Sequence, residues 1–90
     1  MTFRLEYAHR AIADLRQLDE IEAKRIVAKI KYFMAQESPL QFAQPLAGIF
    51  KGQYRFRIGN YRAIFNKDTK GKLTLLTVIA ISHRKEIYRS

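Results

Sequence analysis

Residues 51–65 read Lys51-Gly52-Gln53-Tyr54-Arg55-Phe56-Arg57-Ile58-Gly59-Asn60-Tyr61-Arg62-Ala63-Ile64-Phe65. Aromatic and aliphatic residues alternate with arginines on both sides of a Gly-Asn pair, the pattern of two strands joined by a two-residue turn. Glycine at the first turn position suits a type II′ hairpin, whose handedness matches the twist of its strands. The turn sets the register: Ile58 opposite Tyr61, Arg57 opposite Arg62, Phe56 opposite Ala63, Arg55 opposite Ile64 and Tyr54 opposite Phe65. With side chains alternating between faces, Tyr54, Phe56, Ile58, Tyr61, Ala63 and Phe65 share a face that requires burial. Arg55, Arg57, Arg62 and Ile64 share the other. Two arginines directly opposite each other repel. That pairing makes sense where an anion sits over it; the bland reading is a solvated basic face that keeps a sheet soluble.

The rest of the composition agrees with an anionic partner. The chain has 90 residues, enough for one small domain spanning 1–90, with 17 Lys and Arg against 8 Asp and Glu and a net charge of +9. Residues 1–49 hold seven basic and six acidic residues. Residues 50–90 hold ten basic residues against Asp68 and Glu86, so +8 of the charge lies in the half read as sheet. Such asymmetry attracts polyanions, nucleic acid above all, and acidic proteins as well. No cysteine is present, which excludes disulfides and cysteine-ligated metal and fits an intracellular, cytoplasmic location. The start Met1-Thr2-Phe3-Arg4-Leu5-Glu6 lacks a signal peptide's apolar run, and the longest apolar run, Leu73 to Ile81, is too short to span a bilayer. No membrane association is expected.

Along the chain, Thr2–Tyr7 alternates as a half-buried strand. Ala8–Leu18 shifts to helical spacing, with Ala8, Ala11, Ile12, Leu15 and Leu18 on one side. Asp19 with Glu22 forms a variant capping box opening a second helix to about Gln36, with the stripe Ile26, Val27, Ile30, Phe33 and Met34. The pair forms a helical hairpin on one face of the sheet. Ser38-Pro39 ends the second helix, and Gln41–Gly48 is a loop. After the central hairpin, Asp68-Thr69-Lys70-Gly71 reads as a turn and Lys72–Ile81 as a central strand, followed by a polar, basic tail. The expected fold is α+β in the order β-α-α-β-β-β, the N-terminal strand and helical hairpin packed on a small, mostly antiparallel sheet.

Neither a Gly-rich phosphate loop, a zinc spacing nor a Ser/His/Asp arrangement is visible, and His9 and His83 are the only histidines. A metal centre or cofactor is not expected. Metal-free phosphate chemistry is open to RNA, whose 2′-hydroxyl can attack the neighbouring phosphate if a protein removes its proton, stabilises the transition-state charge and protonates the leaving oxygen. Arg57 and Arg62, with Arg55 nearby, could clamp one phosphate through their planar forks. His83 and Arg84, at the end of a strand beside the hairpin, come near the same surface, and Tyr88 offers a ring for a base to stack on.

Tyr54-Arg55-Phe56-Arg57-Ile58-Gly59-Asn60-Tyr61-Arg62-Ala63-Ile64-Phe65, the preceding Pro45-Leu46-Ala47-Gly48, the closing His83-Arg84-Lys85-Glu86-Ile87-Tyr88-Arg89 and the early Ala11-x-x-Asp14-Leu15-x-x-Leu18 resemble the RelE/ParE superfamily of toxins from toxin–antitoxin systems, on the RelE side. The likeness covers essentially the whole chain. It implies a ribosome-dependent mRNA endoribonuclease that cuts codons in the decoding site and arrests translation. The ribosome, mRNA and a cognate acidic antitoxin are the implied partners, the free chain being a monomer and the antitoxin-bound form a hetero-oligomer. Positions matching the family pattern are Arg55, Arg57, Arg62, Arg84 and Tyr88; with His83 competing with Arg84 for one role, the catalytic candidates are Arg57, Arg62, His83, Arg84 and Tyr88. Lys51, Arg55, Arg57, Arg62, Lys85 and Arg89 form the implied RNA-binding set. Some RelE toxins carry lysine where this chain has Arg55 and Arg57. Arginine does not give up its proton, so the general base falls to His83 or Lys51. Two alternatives stay open: a ParE-like inhibitor of DNA gyrase on the same fold, and a non-catalytic basic nucleic-acid-binding module.

Overall fold

The computed structural model describes residues 2–46 and 52–83 of the chain. Strand β1 (Thr2–Tyr7) leads to helix α1 (His9–Arg16) and helix α2 (Glu20–Met34). A 3-10 turn (Pro39–Phe42) follows, then β2 (Ala43–Pro45), β3 (Gln53–Ile58), β4 (Tyr61–Lys70) and β5 (Leu73–His83). The strands form one five-stranded sheet in the order β1-β5-β4-β3-β2, with β1 parallel to β5 and the other neighbours antiparallel. The α+β class and the helical hairpin on one sheet face are as the sequence implies.

The β3–β4 hairpin has the expected register, from Ile58 opposite Tyr61 to Tyr54 opposite Phe65. Gly59 sits at φ 59° and, among the described residues, no non-glycine residue has positive φ, so Asn60 does not share it, as a type II′ turn requires. The β4–β5 turn differs from expectation. Asp68, Thr69 and Lys70 stay in β4, and the chain reverses at Gly71 and Lys72, with Gly71 at φ 60°. One glycine able to take a left-handed conformation suffices for a tight reversal, so the turn-forming residues before it remain free to pair. Thr69 and Thr74 do so across the ladder, their hydroxyls 3.0 Å apart.

The helices cover the face that carries Phe56, Ile58, Ala63, Phe65, Leu76, Val78 and Ile81. Ile26, Ile30 and Phe33, spaced to fall on one side of α2, are buried there together with Ala11 of α1. Packed aromatic rings run through this core. Phe33 lies 4.9 Å from Phe42 and 4.8 Å from Phe56, and Phe56 lies 4.5 Å from Phe65 between centroids. Each such pair contributes about 0.5–1.5 kcal/mol beyond its buried area. Val27, placed on the same stripe by spacing, is instead 39% exposed.

Two local expectations fail. Asp19 occupies the N-cap position of α2, yet its side chain makes no capping bond; Glu22 pairs with Arg25 at 3.5 Å rather than reaching back. The segment expected as a loop from Gln41 contains β2, whose three residues pair with Tyr54–Phe56. Three residues are too few to show an alternation, and Pro45 is tolerated because an edge strand leaves one side unbonded.

Candidate nucleic-acid interface

On the face away from the helices, Arg57 and Arg62 are direct cross-strand partners, and Ser82 of β5 lies opposite Arg62 on its other side. The three arginines of this face are held differently. Arg57 is exposed, whereas Arg62 is only 4% exposed, set into the sheet surface. Arg55 is half-buried and fixed from β2: its Nε and Nη2 donate to Gln44 Oε1 at 3.2 and 2.9 Å. Gln44 is the residue opposite Arg55 in the β2–β3 ladder. A neutral acceptor orients the guanidinium without cancelling its charge, and three of its five N–H donors remain. The short edge strand is therefore the positioning element for Arg55. It was not legible from sequence, because Gln44 lies in the stretch that reads as loop.

His83 pairs with Tyr61 in the ladder and touches its ring edge-on, 5.3 Å between centroids at 84°. Tyr61 is on the helix-covered face, so His83 is too. The cause is a β-bulge. Ile64 pairs with Ala80 but Phe65 pairs with Val78, leaving Ile79 as an extra residue on β5. Simple alternation from buried Val78 would send His83 to the arginine face; the inserted residue reverses the phase, so Val78 and Ile81 both enter the core. The expectation that His83 shares a surface with the arginines is corrected on this ground. It lines instead a polar pocket of about 380 Å³ with Asp14, Gln17, Leu18 and Tyr61.

Asp14 holds that end of the sheet. β1 ends at Tyr7, opposite Val78, so among the described residues the β5 edge beyond it has no neighbouring strand. The Asp14 carboxylate substitutes, its Oδ2 accepting the Ile81 N–H at 2.9 Å, while Arg10 stands 4.0 Å from the same oxygen. Beneath the helices the Tyr7 hydroxyl is buried with no hydrogen-bond partner among the described residues, and burial pushes its pKa above the usual 10.0.

Of the other implied site residues, Lys51, Arg84, Lys85, Tyr88 and Arg89 lie outside the described residues. Among the described residues, no group of three or more His, Asp or Glu is placed to hold a metal ion, and no helix is long and apolar enough to cross a membrane.

A family model described as the ParE toxin of type II toxin-antitoxin system, parDE, matches residues 5–88. No curated protein matches the chain significantly. Among solved structures, the toxin–antitoxin complex RelBE2 from Mycobacterium tuberculosis contains a chain that superposes with a TM-score of 0.73 at 20% identity, covering 93% of this chain and 100% of that one. The YoeB/ParE toxin from Agrobacterium tumefaciens gives 0.65 at 20% identity, covering 92% and 98%. The RelB–RelE antitoxin–toxin complex from Methanococcus jannaschii gives 0.60 at 24% identity, covering 92% and 94%. At these identities the likeness establishes the fold.

Proposed function

The chain belongs to the ParE toxin family of type II toxin–antitoxin systems, and we propose that within it this protein is an RNA-cleaving toxin acting on mRNA in the ribosomal decoding site. The observation that carries the reading is Arg57 directly opposite Arg62 on the sheet face away from the helices, with Arg55 oriented beside them by Gln44. Like charges in that register destabilise a hairpin by up to about 1 kcal/mol. A phosphate bound at exposed Arg57 offsets that repulsion with a charge-assisted contact, and the recessed Arg62 adds to the positive field around it.

The chemistry then divides as follows. The 2′-hydroxyl oxygen attacks the adjacent phosphorus, negative charge grows on the phosphoryl oxygens, and the bond to the 5′-oxygen of the next nucleotide breaks. Exposed Arg57 contacts those oxygens directly. Arg62, recessed beneath, supplies a fixed positive field that needs no reorganisation during the reaction. Arg55 binds an adjoining phosphate. His83 faces the other side of the sheet, so proton transfer is not assigned to it, and no arginine on this face can act as base. A cognate acidic antitoxin completes the proposal: two of the three similar structures named above are complexes of a toxin with its antitoxin, and a face this basic suits an acidic segment that orders on binding.

A second reading has one observation behind it, since the matching family model is that of ParE toxins: the protein inhibits DNA gyrase and cuts nothing. Induced expression with labelled methionine and labelled thymidine separates the two. Protein synthesis stopping first supports mRNA cleavage; DNA synthesis stopping first, with protein synthesis continuing, supports gyrase.

A further inference from the structure

Arg57 also borders a second feature. β2 covers β3 only from Tyr54 to Phe56; beyond that, the strand runs beside α2 and leaves a cleft of about 510 Å³ lined by Arg25, Lys29, Tyr32, Arg57 and Ile58. Tyr32 is 53% exposed. It is nonetheless held in place, at 6.0 Å from the Phe33 ring and 6.4 Å from Phe42. The Lys29 ammonium stands over it, 5.0 Å from its centroid. Arg25 is shared with Glu22; Lys29 and Arg57 are both exposed.

We propose that this cleft takes an unpaired base of single-stranded RNA, stacked on Tyr32, with flanking phosphates at Lys29 and Arg57. The inference rests on the RNA-cleaving reading and extends it: Arg57 belongs to both surfaces, so a strand held at the arginine pair continues over the β3 edge into the cleft. A fixed aromatic face among cations is the arrangement that binds single strands with little sequence preference. The cation over the ring marks the face as open to a π-partner; an arriving base takes the place of the ammonium, which turns to the base's own phosphate. An acidic peptide would satisfy the cations but has no use for the ring face.

The test measures fluorescence anisotropy of labelled single-stranded oligoadenylate and oligouridylate with the wild-type chain and with Tyr32→Leu, Tyr32→Trp, Lys29→Gln and Arg57→Ala. Circular dichroism confirms each fold, and Leu keeps apolar contact with Phe33 and Phe42. Tyr32→Leu is expected to weaken binding about five- to a hundred-fold, Tyr32→Trp to retain it, and Lys29→Gln to lower the salt slope by roughly one contact. Oligoadenylate is expected to bind more tightly than oligouridylate, because purines stack better. Wild-type affinity in Tyr32→Leu overturns the cleft assignment, and so does a Tyr32→Leu variant that loses only an acidic peptide partner. If Arg57→Ala alone weakens binding, the cleft fails while the arginine face stands. Stacking on Tyr32 without any ribosomal mRNA cleavage removes the nuclease reading and leaves the stacking site.

Discussion

Arg57 and Arg62 face each other across the β3–β4 hairpin on the side of the sheet that the helices leave open. They differ sharply in exposure, and that difference separates function from stability. Arg57→Ala removes an exposed side chain, so the melting temperature is expected to stay within a few degrees of wild type. Cleavage of mRNA on ribosomes should fall about 10²- to 10³-fold, as when one donor to a developing charge is lost. Arg62 is 4% exposed, and Arg62→Ala is expected to lower both activity and stability. Single-turnover cleavage and thermal melts of the same preparations check both statements.

The edge-on contact of His83 with Tyr61 places the imidazole on the helix-covered face. His83→Gln is therefore expected to leave cleavage within about threefold of wild type, far short of the 10²- to 10⁴-fold loss that follows removal of a general base. A loss of that larger size would show that the imidazole reaches the RNA. The pH–rate profile provides a second readout, since removing a true base would also erase its ionisation limb.

Asp14 joins α1 to β5 across 67 residues of sequence through the Ile81 N–H. Asp14→Ala leaves that backbone donor without its acceptor, at a cost of about 1–3 kcal/mol. For a domain of this size each kcal/mol corresponds to about 4–8 °C of melting temperature. Asp14→Asn, which keeps a carbonyl acceptor at the same place, should recover part of the loss. Equal melting temperatures for Asp14→Ala and wild type would show that the bond contributes nothing.

The Tyr7 hydroxyl is buried with no partner among the described residues, and burial raises its pKa. The folded protein therefore holds this proton more tightly than the unfolded chain does. The linked stability is intact below the unfolded value near 10 and declines as pH rises from there through the folded pKa. Tyr7→Phe removes the unsatisfied group and the titration together. It is expected to match or exceed wild-type stability at neutral pH and to flatten the alkaline loss, as urea midpoints at pH 7 and pH 11 would show.

The hairpin register was legible because two strong local rules coincide there, the period-two alternation and a glycine-first turn. Helix α2 was legible for the same kind of reason, since Ile26, Ile30 and Phe33 sit at helical spacing and all three are buried. What escaped the sequence lacks such a signal. β2 is three residues long, so the role of Gln44 in orienting Arg55 could not be seen. Asp68-Thr69-Lys70 are turn-forming by type, but pairing with β5 overrides their local preference. The extra residue at Ile79 is a property of how two strands meet, and it alone decides which face receives His83. The arginine cluster was therefore readable in advance, whereas its separation from the imidazole was not.

Primer extension on a defined mRNA in a reconstituted translation reaction, with and without ribosomes and with Arg57→Ala as control, tests the central claim most directly. The account predicts cuts within codons at the decoding site that require ribosomes and vanish in the variant. Intact mRNA, from a preparation of the wild-type protein that still arrests growth, would contradict it.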